Sequence, residues 1–372
     1  MKKIILFIIF VFIVSGLWSD LTNDCLTTQL KKELLKKDEV EFIRINIRLE
    51  KQYNTTQLIE DAKKFDKNER RKYVIRELTT FSHETQTDIL DFLKQNSNSV
   101  KDIKPLWVTN VISCKATKGI INQLAERDDI NRIDYDEFRK MITTKQEDKS
   151  KNNEKEITWN ITRVNADDVW SLGYDGNGVL VSVLDTGLNY NHTDISDHLW
   201  DGGTTYPNHG YDFVNDDNDP WDEGGDANGH GTHCAGTVAG DGTSGSQTGI
   251  APNADIMALK VLSGDGSGTE SGVWNAIQFS IDNDVDVMSM SIGWQHSWGV
   301  DRESWRNSMN SALAAGVVAA VASGNEWDNV GDYPVPDNVR TPGDCPPPWL
   351  NPDQTIGSSV SASITVGASN TS

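Results

Sequence analysis

Apolar and polar residues change their period several times along this chain, and each change marks an element. Ile43, Ile45, Ile47 and Leu49 alternate with polar neighbours, the two-residue repeat of a strand with one buried face. Helical spacing takes over from Asn68 to Leu93, with Tyr73, Val74, Leu78 and Phe81 on one face. Strand-like residues return from Leu106 to Ser113, a short helix is predicted around Ile120, Ile121 and Leu124, and Ile130 and Ile133 mark a last strand. Residues 38–137 thus have the order β-α-β-β-α-β. From Thr158 onward the pattern is different. Strands are expected at Val179–Leu184, Ile256–Leu262, Val285–Ile292 and Val317–Ala322, and helices from His230, through Trp274 to Ile281, and through Trp305 to Ala315. These strands are nearly continuous apolar runs, as in a parallel sheet covered by helices on both faces.

The fold expectation is therefore two-part: a small ferredoxin-like α+β unit, then a doubly wound α/β domain with a parallel sheet. Between them, Thr143 to Glu156 is charged and has no apolar residue, so residues 143–157 are expected to form an exposed linker. At the start, Lys2 and Lys3 precede an apolar stretch from Ile4 to Val14 that is too short to span a bilayer, followed by small residues at Ser15, Gly16 and Ser19. Residues 1–19 read as a secretory signal, with an uncleaved anchor as the alternative. Release from the membrane and a secreted location are expected after cleavage.

Charge sharpens the division. Residues 1–157 hold 29 Lys+Arg and 26 Asp+Glu, net +3, whereas residues 158–372 hold 5 and 29, net −24. An acidic domain of this kind repels nucleic acid and anionic lipid, and favours calcium, cationic peptides and the Lys-rich segment before it. Cys25, Cys114, Cys234 and Cys345 permit two disulfides with three connectivities, although Cys234, directly after H-G-T-H, also reads as a free core thiol.

Three short motifs carry the chemistry. Asp185 stands in V-L-D-T-G at the end of an apolar run, His230 opens H-G-T-H-C-A-G, and Asn325 closes A-S-G-N. Each alone is ambiguous. D-T-G also serves paired-carboxylate proteases, but no second copy is present; His230 and His233 lack the glutamate and spacing of a zinc helix; S-G-N is often only a turn. Together and in this order they resemble the subtilisin-like serine proteases (subtilases), more closely their bacillopeptidase F-like branch.

That resemblance implies roles. His230 would be the general base, Asp185 would orient it, and Asn325 would donate its amide to the oxyanion. Ser291, Ile292 and Gly293 would form one peptide-binding edge, Gly266, Ser267 and Gly268 the other, with Ala322, Ser323 and Gly324 walling the first pocket. Plain turn formation is the other reading of the glycines. Residues 20–142, with their compact part at 38–137, would be an inhibitor-type prosegment acting on its own domain, with a maturation cut in the linker. Residues 158–372 would be the first part of the catalytic domain. The family's G-T-S-M-A motif does not occur in these 372 residues, so the nucleophilic serine is expected beyond Ser372. Gly242-Thr243-Ser244 and Gly357-Ser358-Ser359 read as a surface turn and a strand approach. The acidic loop from Asp212 to Glu223 resembles a thermitase-like calcium loop, with Asp212 and Asp217 as ligands to a structural Ca²⁺, or is a solvated acidic turn. The expected activity is endopeptidase hydrolysis of protein substrates; a pseudoprotease or a peptide-binding inhibitor is the alternative.

Overall fold

A computed structural model describes residues 25–142, 157–227, 229–326, 338–345 and 363–368. The expected signal (1–19), most of the linker (143–156) and Gly357-Ser358-Ser359 lie outside the described residues. The chain divides into two compact units, one of residues 1–53 and 78–137, the other of residues 54–77 and 138–372.

Elements of the first stretch are α1 (Thr28–Leu34), β1 (Ile43–Leu49), α2 (Thr55–Ala62), α3 (Lys67–Gln95), β2 (Val100–Leu106), β3 (Val111–Ala116), α4 (Lys118–Ala125), β4 (Ile130–Tyr135) and β5 (Arg139–Lys140). In the first unit, β2, β3, β1 and β4 form a sheet in that spatial order, with β1 antiparallel to both β3 and β4. The alternation in β1 places Ile43, Ile45, Ile47 and Leu49 in one core with Ile89, Leu93, Ile121 and Leu124. Helices α1 and α2 were not expected from the sequence. Both are short and begin on side-chain caps, Thr27 Oγ1 accepting from Leu30 and Asn54 Oδ1 from Gln57.

Residues 54–77 carry the larger difference from the sequence reading, which kept them with the first unit. They pack within the second. Arg70 donates to the carbonyls of Leu313 and Ala314, both at 2.6 Å. Arg71, almost fully buried, donates to Asp284 (2.9 Å) and to the Val285 carbonyl. Two guanidinium groups thus meet a helix C-terminus and an acidic turn, where unpaired carbonyls and negative charge favour cations.

The second unit continues with α5 (Trp159–Arg163), α6 (Ala166–Ser171), β6 (Leu180–Asp185), β7 (Gly210–Asp212), α7 (His230–Ala239), β8 (Asp255–Lys260), β9 (Ser267–Gly268), α8 (Glu270–Asp282), β10 (Val287–Met290), α9 (Arg302–Ala314), β11 (Val318–Ala322) and β12 (Ser363–Val366). Six strands form a parallel sheet in the order β12-β11-β10-β6-β8-β7. This is the doubly wound α/β architecture expected, with the strand ends shifted by at most two residues, β12 following Gly357-Ser358-Ser359 as expected, and one added strand, β7. The chain leaves β6 to one side for β7 and β8, then returns to its other side for β10 to β12. That reversal opens a crevice at the carboxyl end of β6, where ligands settle in open α/β sheets. A core of Val181, Val183, Ala235, Ala239, Ile256 and Ala258 lies under it. All four cysteines are free thiols.

Candidate active site

Asp185 is the last residue of β6 and has no exposed surface. Its Oδ1 accepts the Thr186 N–H (2.8 Å) and lies 2.7 Å from His230 Nδ1. His230 is the first residue of α7, entered through Gly229 at φ +73°. Burial alone would push the imidazole pKa down, but the hydrogen bond and charge of Asp185 favour the protonated ring and raise it above the ordinary histidine value. Cys234, one turn further on, holds its Sγ 3.7 Å from the same nitrogen. Burial lifts the thiol pKa, so the group is held as a thiol. Among the described residues, these three form the set of His, Cys and carboxylate ligand atoms that converges within 4.8 Å.

The D-T-G and H-G-T-H motifs explain one another once folded. Gly231 passes so close to Gly187 that a Cβ on it would stand 2.2 Å from the Gly187 carbonyl oxygen. The Gly231 N–H donates to Thr186 Oγ1 (2.9 Å), which donates to Asp222 Oδ1 (3.2 Å). Asp222 Oδ2 accepts from the Thr232 amide (3.0 Å) and hydroxyl (2.7 Å). A carboxylate at the first turn of a helix satisfies amides that the helix cannot. The sequence reading counted Asp222 only as one more charge of the acidic loop. Buried Lys260 was also missed; its Nζ donates to the Thr186 carbonyl (2.7 Å) and the Leu262 carbonyl (3.1 Å), tying the turn to the end of β8.

The remaining candidates gather around the same crevice. Ser291, Ile292 and Gly293 follow β10; Ala322 ends β11, with Ser323, Gly324 and Asn325 after it. Cys234, Ser291, Ala322, Ser323, Gly324 and Asn325 all line one cavity of about 410 Å³. Asn325 is exposed, and its N–H donates to Glu326 Oε2 (2.9 Å). Glu326 is paired with Arg340 at 2.5 Å, both largely buried. Arg340 runs between Gly293 and Gly324, where a Cβ on either glycine would meet it at 2.7–2.8 Å, and it also donates to the Gly293 carbonyl (3.3 Å). Nothing in the sequence flagged this pair.

On the opposite side, Gly266, Ser267 and Gly268 hold a strand of the chain itself. β5 pairs antiparallel with β9, Arg139 opposite Gly268 and Lys140 opposite Ser267. The Met141 N–H continues the ladder to the Gly266 carbonyl (2.9 Å), and the Met141 carbonyl accepts from Arg340 (3.1 Å).

The acidic loop is ordered by its own amides. Asp212 Oδ1 accepts from Val214 and Asn215 amides (2.7 and 2.9 Å), and Oδ2 from the Asn215 side chain (2.9 Å). Its carboxyl is pushed up chiefly by burial. Backbone bonds in both directions set Asp217 directly opposite Asp212. Among the described residues the carboxylates of this loop do not converge as a set of three or more ligand atoms, so a calcium ion there would need backbone oxygens beside Asp212 and Asp217.

Comparison with known proteins agrees with this geometry. The subtilase family model matches residues 176–372, more than half of the chain. The chain belongs to the subtilase family. It is 38% identical over 173 residues (45% of the chain, 20% of the relative) to the minor extracellular protease Vpr of Bacillus subtilis, and 34% identical over 170 residues (46% and 40%) to subtilisin E of the same species. Similarity to bacillopeptidase F of Bacillus subtilis, at 26% identity, runs over 338 residues, 81% of this subtilase but 23% of the relative. Across these three, the chain spans between about a fifth and two fifths of the relatives' lengths. Among the described residues no helix is long and apolar enough to cross a membrane.

Proposed function

We propose that the chain is the leader, prosegment and first part of the catalytic domain of a secreted serine endopeptidase, and that it hydrolyses protein substrates once a seryl nucleophile from outside these 372 residues completes the site. The observation that carries this reading is the 2.7 Å contact between His230 Nδ1 and buried Asp185, at the carboxyl end of the central strand of the sheet. With Nδ1 committed to Asp185, Nε2 is the nitrogen left to take a proton from an attacking hydroxyl. Asp185 then stabilises the imidazolium, and the proton passes to the leaving amine. Asn325, on the lip of the same cavity, is the proposed donor to the oxyanion. The strand β5 lying on β9 supports Gly266–Gly268 as a peptide-binding edge, since a bound peptide would gain the same main-chain bonds. We also propose a structural calcium at Asp212 and Asp217.

Labelling tests the catalytic reading. A fluorophosphonate probe should leave the 372-residue chain unmodified and should modify a single serine, after residue 372, in protein made from the extended reading frame. Specific labelling of Ser244, Ser291 or Ser358 would sink it.

A further inference from the structure

We propose that the cleft bounded by β9 selects a peptide with two consecutive basic residues, at the two positions that pair with Gly268 and Ser267. This inference rests on the reading of β9 as a substrate edge. The chain's own strand shows what those positions meet. Lys140, opposite Ser267, points its Nζ to Asp226 Oδ2 at 3.1 Å. Arg139, opposite Gly268, lays its guanidinium over the Trp298 ring at 5.5 Å. Trp298 is held from another direction by Arg340, 5.9 Å from the ring centroid, whose own charge is matched by Glu326.

The positions differ in kind along the strand. After the two basic residues come Met141 and Ile142, both buried. The cleft therefore offers an acidic and aromatic rim first and an apolar interior next. Asp265, in the turn that enters β9, is a second carboxylate on this edge, tied to it by hydrogen bonds from Ser263 and Ser267. The surrounding domain, net −24 over residues 158–372, extends that field outward. An acidic pair in the same register would face Asp226 and Asp265 as like charges and would lose the ring contact, because the face of an indole attracts cations and repels anions.

Amide hydrogen exchange at Met141 reads this selection without needing a nucleophile, because its N–H is bound to Gly266 only while the strand is seated. In the 372-residue chain, Lys140→Glu should speed that exchange about two- to fivefold at low salt, the range expected of an exposed ion pair. Arg139→Ala should act in the same direction. Lys140→Glu combined with Asp226→Lys should restore protection, which a merely structural disturbance would not do. Unchanged exchange in both single variants would overturn the selection and leave the cleft reading standing. A Met141 amide unprotected in the wild type would overturn the cleft reading itself.

Discussion

The two sides of the crevice are built on opposite principles. The Asp185–His230 side is buried and tied by side chains: Thr186, Asp222, Thr232 and Lys260 each make bonds that lock one motif to another. The Gly266–Gly268 side holds its guest through backbone groups on small residues, with its charged contacts at the rim. Proton transfer requires fixed atoms in a desolvated setting, whereas binding many peptide sequences requires a ladder indifferent to side chains. Rigidity is therefore placed where the chemistry is proposed, and adaptability where peptide binding is proposed.

The sharpest way to break this comparison is at the histidine. In protein extended to include the nucleophile, His230→Ala should lower peptide hydrolysis by roughly 10⁴-fold or more and should block release of the prosegment, both followed by gel and peptide assay. Retained processing in a protease-free host would remove His230 from the chemistry.

Next in size is the tie beneath it. Asp222→Ala strands the Thr232 amide and two hydroxyls, and should cost about 2–3 kcal/mol in denaturant unfolding of the 372-residue chain. A loss within experimental error would show that the two motifs are held by other contacts.

A smaller effect concerns pH. Because Asp185 raises the His230 pKa above its ordinary 6.5, the fold binds the imidazolium preferentially. That contribution is complete below pH 6.5 and is lost as pH climbs through the raised folded-state pKa. The stability gap between wild type and Asp185→Asn should be widest on the acid side of this window and close toward its upper end. A gap that widens with rising pH would reverse the assignment.

Calcium gives a smaller shift still. If an ion is held at Asp212 and Asp217, it stabilises the folded state with the logarithm of its concentration, and Asp212→Asn with Asp217→Asn should diminish the calcium-dependent rise in melting temperature. Equal rises in the two proteins would return the loop to a solvated turn. On the pocket wall across from Gly266–Gly268, Ser323→Ala should change unfolding free energy by no more than about 0.5 kcal/mol, and a larger loss would mean that this wall too is locked by its side chains.

Much of this was legible in the residues. Period-two and apolar runs placed β1, β6, β8, β10 and β11, because burial on one face or both imposes a pattern that neighbours in sequence must obey. The proximity of Asp185 and His230 followed from the resemblance of their motifs to those of subtilases, and the contact is 2.7 Å. The acidic loop is where pattern ran out. Asp212, Asp217 and Asp222 look alike in sequence, yet Asp212 binds the amides that follow it, and Asp222 reaches over to Thr186 and Thr232.

By itself, then, the sequence determined the order of elements, the acidic character of the second region and the residue types able to handle a proton. Tertiary structure alone decided that residues 54–77 pack with the acidic unit through Arg70 and Arg71, that Arg139 and Lys140 lie on β9, and that Arg340 runs between Gly293 and Gly324. The reason is physical. Local pattern reports which face of an element leaves water, but a partner from another element is chosen by shape and charge that exist only after the sheet has formed.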